Sequence, residues 1–141
     1  MGQFALQVSE FAKLAERNAN LIVRKVAIDI FARVVMRTPV DSGRARGNWQ
    51  INVGAAPSGA IARTDKQEKG SPPGPALASA ALAAVATFEA GPDIYIVNNL
   101  PYINRLEYEG YSTQAPAGMV RVTVAEYQGL IAKAVEEVKN K

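Results

Sequence analysis

The side chains in this sequence whose types and spacing suit chemistry fall in three clusters, and all three suit holding a partner better than making or breaking bonds. Arg44 and Arg46 lie close together in TPVDSGRARGNW, Thr38 to Trp49. A planar guanidinium matches a carboxylate or phosphate bidentately. Tyr102, Tyr108 and Tyr111 are interleaved with Arg105, Glu107 and Glu109 in NNLPYINRLEYEG and the residue that follows it. Tyrosine supplies large contact area at low entropy cost, with the charges at its margin. Arg63, Lys66 and Lys69 form a third, basic group inside a Pro/Gly-rich stretch. Glu107 and Glu109 offer counterparts for Arg44 and Arg46, within one subunit or across a contact between subunits.

What is missing narrows the chemistry further. The chain has no histidine and no cysteine, which removes the commonest general acid–base, the commonest metal ligand and all thiolate chemistry. The carboxylates Glu10, Glu16, Asp29, Glu126, Glu136 and Glu137 are scattered along helical stretches without a catalytic spacing. We therefore expect no enzyme, no cofactor and no metal. A net charge of +3 and a pI near 9.3 permit contact with DNA or an acidic protein surface without requiring either. No apolar run spans a bilayer and no secretory leader is visible, so the expectation is a protein made in the cytoplasm, with no membrane partner.

The elements that must position these clusters read as one domain over 1–141. An amphipathic helix is predicted from Ser9, as N-cap, to Arg37, with Phe11, Leu14, Ile22, Val26, Ile30 and Val34 on its apolar stripe. Thr38-Pro39 stops it and Asp41-Ser42-Gly43 turns the chain. Trp49, Ile51 and Val53 alternate as the buried face of a strand, which places Trp49 in the core. Residues 55–75 read either as a long mobile arm that becomes ordered on assembly or as a floppy hairpin with a short strand around Ile61. Pro75 starts an alanine-rich helix to about Ala90, and Ile94 to Val97 reads as a central strand buried on both faces. A short helical turn is expected from Tyr102 to Tyr108, with Arg105 and Glu109 paired on its exposed side. A last helix is predicted from Met119 to about Lys139. The β-branched run Val120 to Val124 competes as a strand, and Gly129 suggests a close crossing. The sum is an α+β domain: long N-terminal and C-terminal helices and an alanine-rich middle helix on a small, mainly antiparallel sheet.

TPVDSGRARGNW, NNLPYINRLEYEG and QAPAGM (Gln114 to Met119), in this order and spacing, resemble the neck and tail-completion proteins of long-tailed bacteriophages, the lambda minor tail protein Z-like group. The resemblance runs over essentially the whole chain, with Ser42 where the family commonly has threonine. It implies a virion structural protein at the head-proximal end of a tail, assembled in the host cytoplasm. Its partners would be copies of itself in a hexameric or dodecameric ring and the neighbouring neck, head-completion and tail-terminator proteins, with non-specific contact to DNA in the channel. The subunit or partner contacts would then be Arg44, Arg46, Tyr102, Arg105, Glu107, Tyr108, Glu109 and Tyr111, with Arg63, Lys66 and Lys69 on the arm. The alternative is a small basic DNA-binding or DNA-packaging accessory protein, which the Arg44, Arg46, Arg63, Lys66 and Lys69 set motivates and the lack of a recognition-helix pattern opposes.

Overall fold

The computed structural model describes residues 2–86, 88, 89, 92–108 and 118–139. Its elements in order are α1 (Gly2–Arg37), α2 (Arg44–Gly47), β1 (Trp49–Val53), α3 (Pro75–Val85), β2 (Ile94–Asn98), α4 (Ile103–Tyr108), α5 (Val120–Ala125) and α6 (Tyr127–Lys139). The architecture is α+β, helices against one small antiparallel sheet.

Helix α1 ends at Arg37 as the Thr38-Pro39 stop requires, but it begins at Gly2 and carries Ser9 inside it. Nothing between Gln3 and Val8 breaks a helix, so a capping residue at position 9 does not start one. At about 1.5 Å per residue, α1 is a rod on the order of 54 Å. Its C-terminal half buries Ala27, Phe31, Val34 and Val35 against Trp49 and Ile51 of β1 and Leu77, Ala81 and Val85 of α3. Trp49 is a core residue, 3% exposed. Its indole Nε1 donates to Thr38 Oγ1 at 2.8 Å, and that hydroxyl donates to Val34 O at 2.6 Å, so the polar tip of the indole is satisfied without water.

The sheet has two strands, in the register Trp49↔Asn98, Ile51↔Ile96 and Val53↔Ile94. This corrects the reading of β2 as a central strand: among the described residues it pairs only with β1, and all five of its residues are half-buried. A continuous apolar run does not distinguish a strand covered on both faces from a short one at an edge. Helix α3 stops at Val85, short of Ala90. The chain turns there through the Phe88 N–H to Val85 O bond of 3.1 Å, Phe88 enters the core, and the Arg24 guanidinium donates to its carbonyl, Nε at 3.0 Å.

At the C-terminal end the run Val120 to Val124 is helical, and the helix is broken once, at Glu126. Glu126 is held by Arg33, at 3.0 Å, and by Arg37, while Lys25 meets Glu137 at 2.9 Å, so ion pairs bind α1 to the C-terminal helices. The strand reading fails because the Thr123 hydroxyl, fully buried, donates back to Met119 O at 2.8 Å and accepts from Arg37 at 2.8 Å. The close crossing expected at Gly129 is also absent: the residue is exposed and a Cβ there would meet nothing within 4 Å. Gly129→Ala is therefore expected to stabilise the protein by about 1 kcal/mol, read as an upward shift in the thermal midpoint. An unchanged or lowered midpoint would show that the glycine serves a contact outside this subunit.

Candidate functional site

The segment Thr38 to Trp49 is built as a platform onto which the 55–74 stretch is strapped. Gly43 has φ 85°, and a Cβ there would come within 2.5 Å of the Lys66 backbone nitrogen. At Gly47 a Cβ would collide with the Arg63 carbonyl oxygen and the Thr64 backbone. The two glycines thus let the strap lie directly on the α2 turn. The hydroxyl of Ser42 accepts from the Arg44 N–H at 3.3 Å, the role that a threonine could also fill.

Arg46 is the centre of the platform. It is fully buried, and its Nε and Nη2 donate to Asp65 Oδ2 at 3.2 and 3.0 Å. Its remaining donors reach Pro72 O at 2.8 Å and Glu68 O at 3.3 Å. Asp65, 6% exposed, also accepts from the Gly74 N–H, with Oδ1 at 3.0 Å, at the start of α3. One guanidinium therefore closes the loop from residue 65 to 74 and ties it to the N-terminus of the next helix. The buried cation thus gives donors to two part-buried carbonyls as well as to the Asp65 carboxylate.

Asn48, also fully buried, does the same on the other side: its Nδ2 donates to Arg44 O at 2.9 Å and its Oδ1 accepts from the Ile61 N–H at 2.8 Å. Arg63 lies along β1 and donates to Gly47 O and Trp49 O, each at 2.8 Å. Burial pushes its guanidinium pKa down, with Asp65 opposing that shift. From the second motif, Asn98 Nδ2 donates to Ala45 O at 2.9 Å and Asn99 Nδ2 to Pro57 O at 3.0 Å.

The third motif is clamped by the second. Glu107, 6% exposed, accepts the backbone N–H groups of Met119 and Val120 at 2.7 and 2.9 Å on one oxygen and of Arg121 at 2.8 Å on the other. Arg121 Nε stands 3.4 Å from the same carboxylate, and its Nη2 donates to the Glu107 carbonyl. Gly118, with φ 85°, is needed there because a Cβ would come 2.5 Å from that carbonyl oxygen. Burial acts to raise the Glu107 pKa and is outweighed by these N–H donors and the Arg121 guanidinium, so the carboxyl is held below its ordinary value.

Several expectations are thereby corrected. Arg46 is an internal brace paired with Asp65, not a contact residue, because Gly43 and Gly47 let the strap close over it. Glu107 caps α5 and is buried, so it is not a surface counterpart for Arg44 or Arg46. Residues 55–74 are tied to the body at Pro57, Gly59, Ile61, Arg63, Asp65, Glu68 and Pro72 and do not form a free arm; Arg63 is one of its ties, while Lys66 and Lys69 face solvent. Arg44 and Arg105 are exposed, as are Tyr102 at 39% and Tyr108 at 66%, with the Arg121 guanidinium 5.1 Å from the Tyr108 ring centroid. Glu109, Tyr111 and the Arg105–Glu109 pair lie outside the described residues.

Sequence reasoning missed Asp65, Asn48 and Arg121. Only Asn48 carried a signal, its place inside a dense motif. Among the described residues no three His, Cys, Asp or Glu side chains gather to hold a metal ion, and no helix is long and apolar enough to cross a membrane. Comparison with family models, curated proteins and solved structures finds no match, so the family resemblance rests on the three motifs alone.

Proposed function

We propose that this chain is a virion structural protein that forms a ring at the head-proximal end of a phage tail, completing the tail and joining it to the head. The observation that carries the reading is that the three motifs, far apart in sequence, lock onto one another: the Thr38 to Trp49 platform through Asn98, and Gly118-Met119 through Glu107. This gives the resemblance a physical meaning, since its buried polar residues brace one shape. The exposed residues Arg44, Lys66, Lys69, Tyr102, Arg105 and Tyr108 then form the contact set for neighbouring copies and neck proteins. The accessory DNA-binding reading loses support, because Arg46 and Arg63 of its cationic set are spent on internal carbonyls and Asp65. With Arg44, Lys66 and Lys69 left, few phosphates could be neutralised and duplex binding should be weak and salt-sensitive.

The test is a variant with Arg44, Lys66, Lys69 and Tyr108 all replaced by alanine. Exposed side chains away from core contacts each change stability by roughly 0.5 kcal/mol or less, so its melting should stay close to wild type. Joined, infectious particles should fall while separated heads and tails accumulate, and electron microscopy of wild-type virions should find the protein as a sixfold or twelvefold ring between capsid and tail tube. Normal joining by the variant would sink the contact assignment. Sequence-selective retention of duplex DNA at nanomolar protein in a gel shift would favour the accessory reading instead.

A further inference from the structure

The two edges of the β1–β2 sheet are not alike. The bond from the Gly54 N–H to Asp93 O, together with the register, puts the inter-strand hydrogen bonds at Asn52↔Tyr95 and Gln50↔Val97, because bonded pairs alternate along an antiparallel ladder. The backbone groups of Ile94, Ile96 and Asn98 therefore point away from β1, and no backbone partner for them occurs among the described residues. The outer side of β1 is followed by the strap instead: Arg63 donates to Trp49 O and Gln50 Nε2 donates to Gly59 O.

The free strand, IYIVN, carries no charge, no lysine and no proline to keep its edge from pairing. Beside it lies a trough of about 260 Å³ lined only by apolar side chains, among them Ile22, Val23, Ile30 and Ile131 facing Ile94 and Ile96. An unpaired ladder takes an extended backbone, and an aliphatic trough takes uncharged side chains on the matching face. Strand β2 itself meets both requirements. In antiparallel register centred on Ile96, the outward groups of Ile94, Ile96 and Asn98 all find partners, and Tyr95 stands opposite Val97 of the second copy. An aromatic against a β-branched residue is a favourable cross-strand pair, and no like charges meet.

We propose that the free edge of β2 is a self-association site, at which β2 of a second copy adds antiparallel about Ile96 to make a four-stranded sheet. Pairing the open ladder and covering the aliphatic trough beside it supply the driving force. The contact is isologous, describes the protein free in solution, and stands independently of the ring reading.

Sedimentation velocity from low to high micromolar concentration should show monomer passing to dimer. Since the chain has no cysteine, introduced thiols report cleanly. Mixing Tyr95→Cys protein with Val97→Cys protein sets the thiols at a non-hydrogen-bonded pair, with Cα atoms about 4.5 Å apart and within disulfide reach. Mild oxidation should give mostly the mixed disulfide and little from either variant alone. Val23→Lys, at a position 39% exposed beside the edge, should melt like wild type and stay monomeric. The proposal is overturned by a monomer at every concentration, by mixed disulfide forming no faster than the single-variant products, or by a Val23→Lys protein that dimerises as wild type does.

Discussion

Arg46→Ala is expected to cost about 3–5 kcal/mol, because removing one partner of a buried ion pair leaves the other charge uncompensated. The Asp65 carboxylate would keep the Gly74 N–H but lose both guanidinium bonds, and the carbonyls of Glu68 and Pro72 would lose their donor. The strap would then detach from the platform, so protease cleavage within residues 55–74 should accelerate well beyond what the shift in global stability accounts for. Arg46→Lys should recover only part of the loss, since an ammonium cannot span Asp65 and two carbonyls with a planar fork. Arg44→Ala, two positions away and exposed, should change stability by roughly 0.5 kcal/mol or less. Urea denaturation of the three variants, with limited proteolysis alongside, reads all of this. Equal stability of the two alanine variants would mean that the strap holds without its buried cation.

The second large effect belongs to Glu107. Glu107→Ala removes the acceptor of three backbone N–H groups and the partner of Arg121, and should destabilise by about 2–4 kcal/mol given that bonds to charged groups are the stronger ones. The same carboxylate makes stability depend on acid. Its folded pKa is depressed, so its contribution is fully present above the unfolded value of about 4.3 and is lost as pH falls through the lower folded value. Below about pH 4 the wild type should lose urea resistance, whereas Glu107→Gln, weaker at neutral pH, should show a flatter curve over that window. If the two curves fall in parallel from neutral pH to acid, the cap does not act through its charge.

Much of the architecture was legible because its signals are local. The Thr38-Pro39 stop, the proline starting α3 and the alternation of Trp49, Ile51 and Val53 each act over a few residues of chain. The apolar stripe of α1 located its buried side only in part: the core cluster takes Val34 of it, with Ala27, Phe31 and Val35 beside it, and on α3 Leu77, Ala81 and Val85 turn inward while Leu82 stays exposed. The local signals gave out where two local structures were comparably good, as at Val120 to Val124, where a buried Thr123 and the Glu107 cap select the helix.

The candidate site was legible only as a set of motifs. The sequence alone determined that Arg44, Arg46, Glu107 and the tyrosines sit in dense segments and that catalysis lacks its usual groups. It could not say which charges face outward. Arg46 finds Asp65 and Glu107 finds the N–H groups of Met119, Val120 and Arg121 through turns at Gly43, Gly47 and Gly118 that place backbone against backbone. Partner choice of that kind depends on which segments are folded over one another, and an arginine reads the same in a sequence whether water or a buried carboxylate receives it. Tertiary structure therefore decided that the strongest polar groups are braces, leaving Arg44, Lys66, Lys69, Arg105, Tyr102 and Tyr108 on the surface: burial of a charge is permitted only where several partners converge, and convergence is a property of the fold.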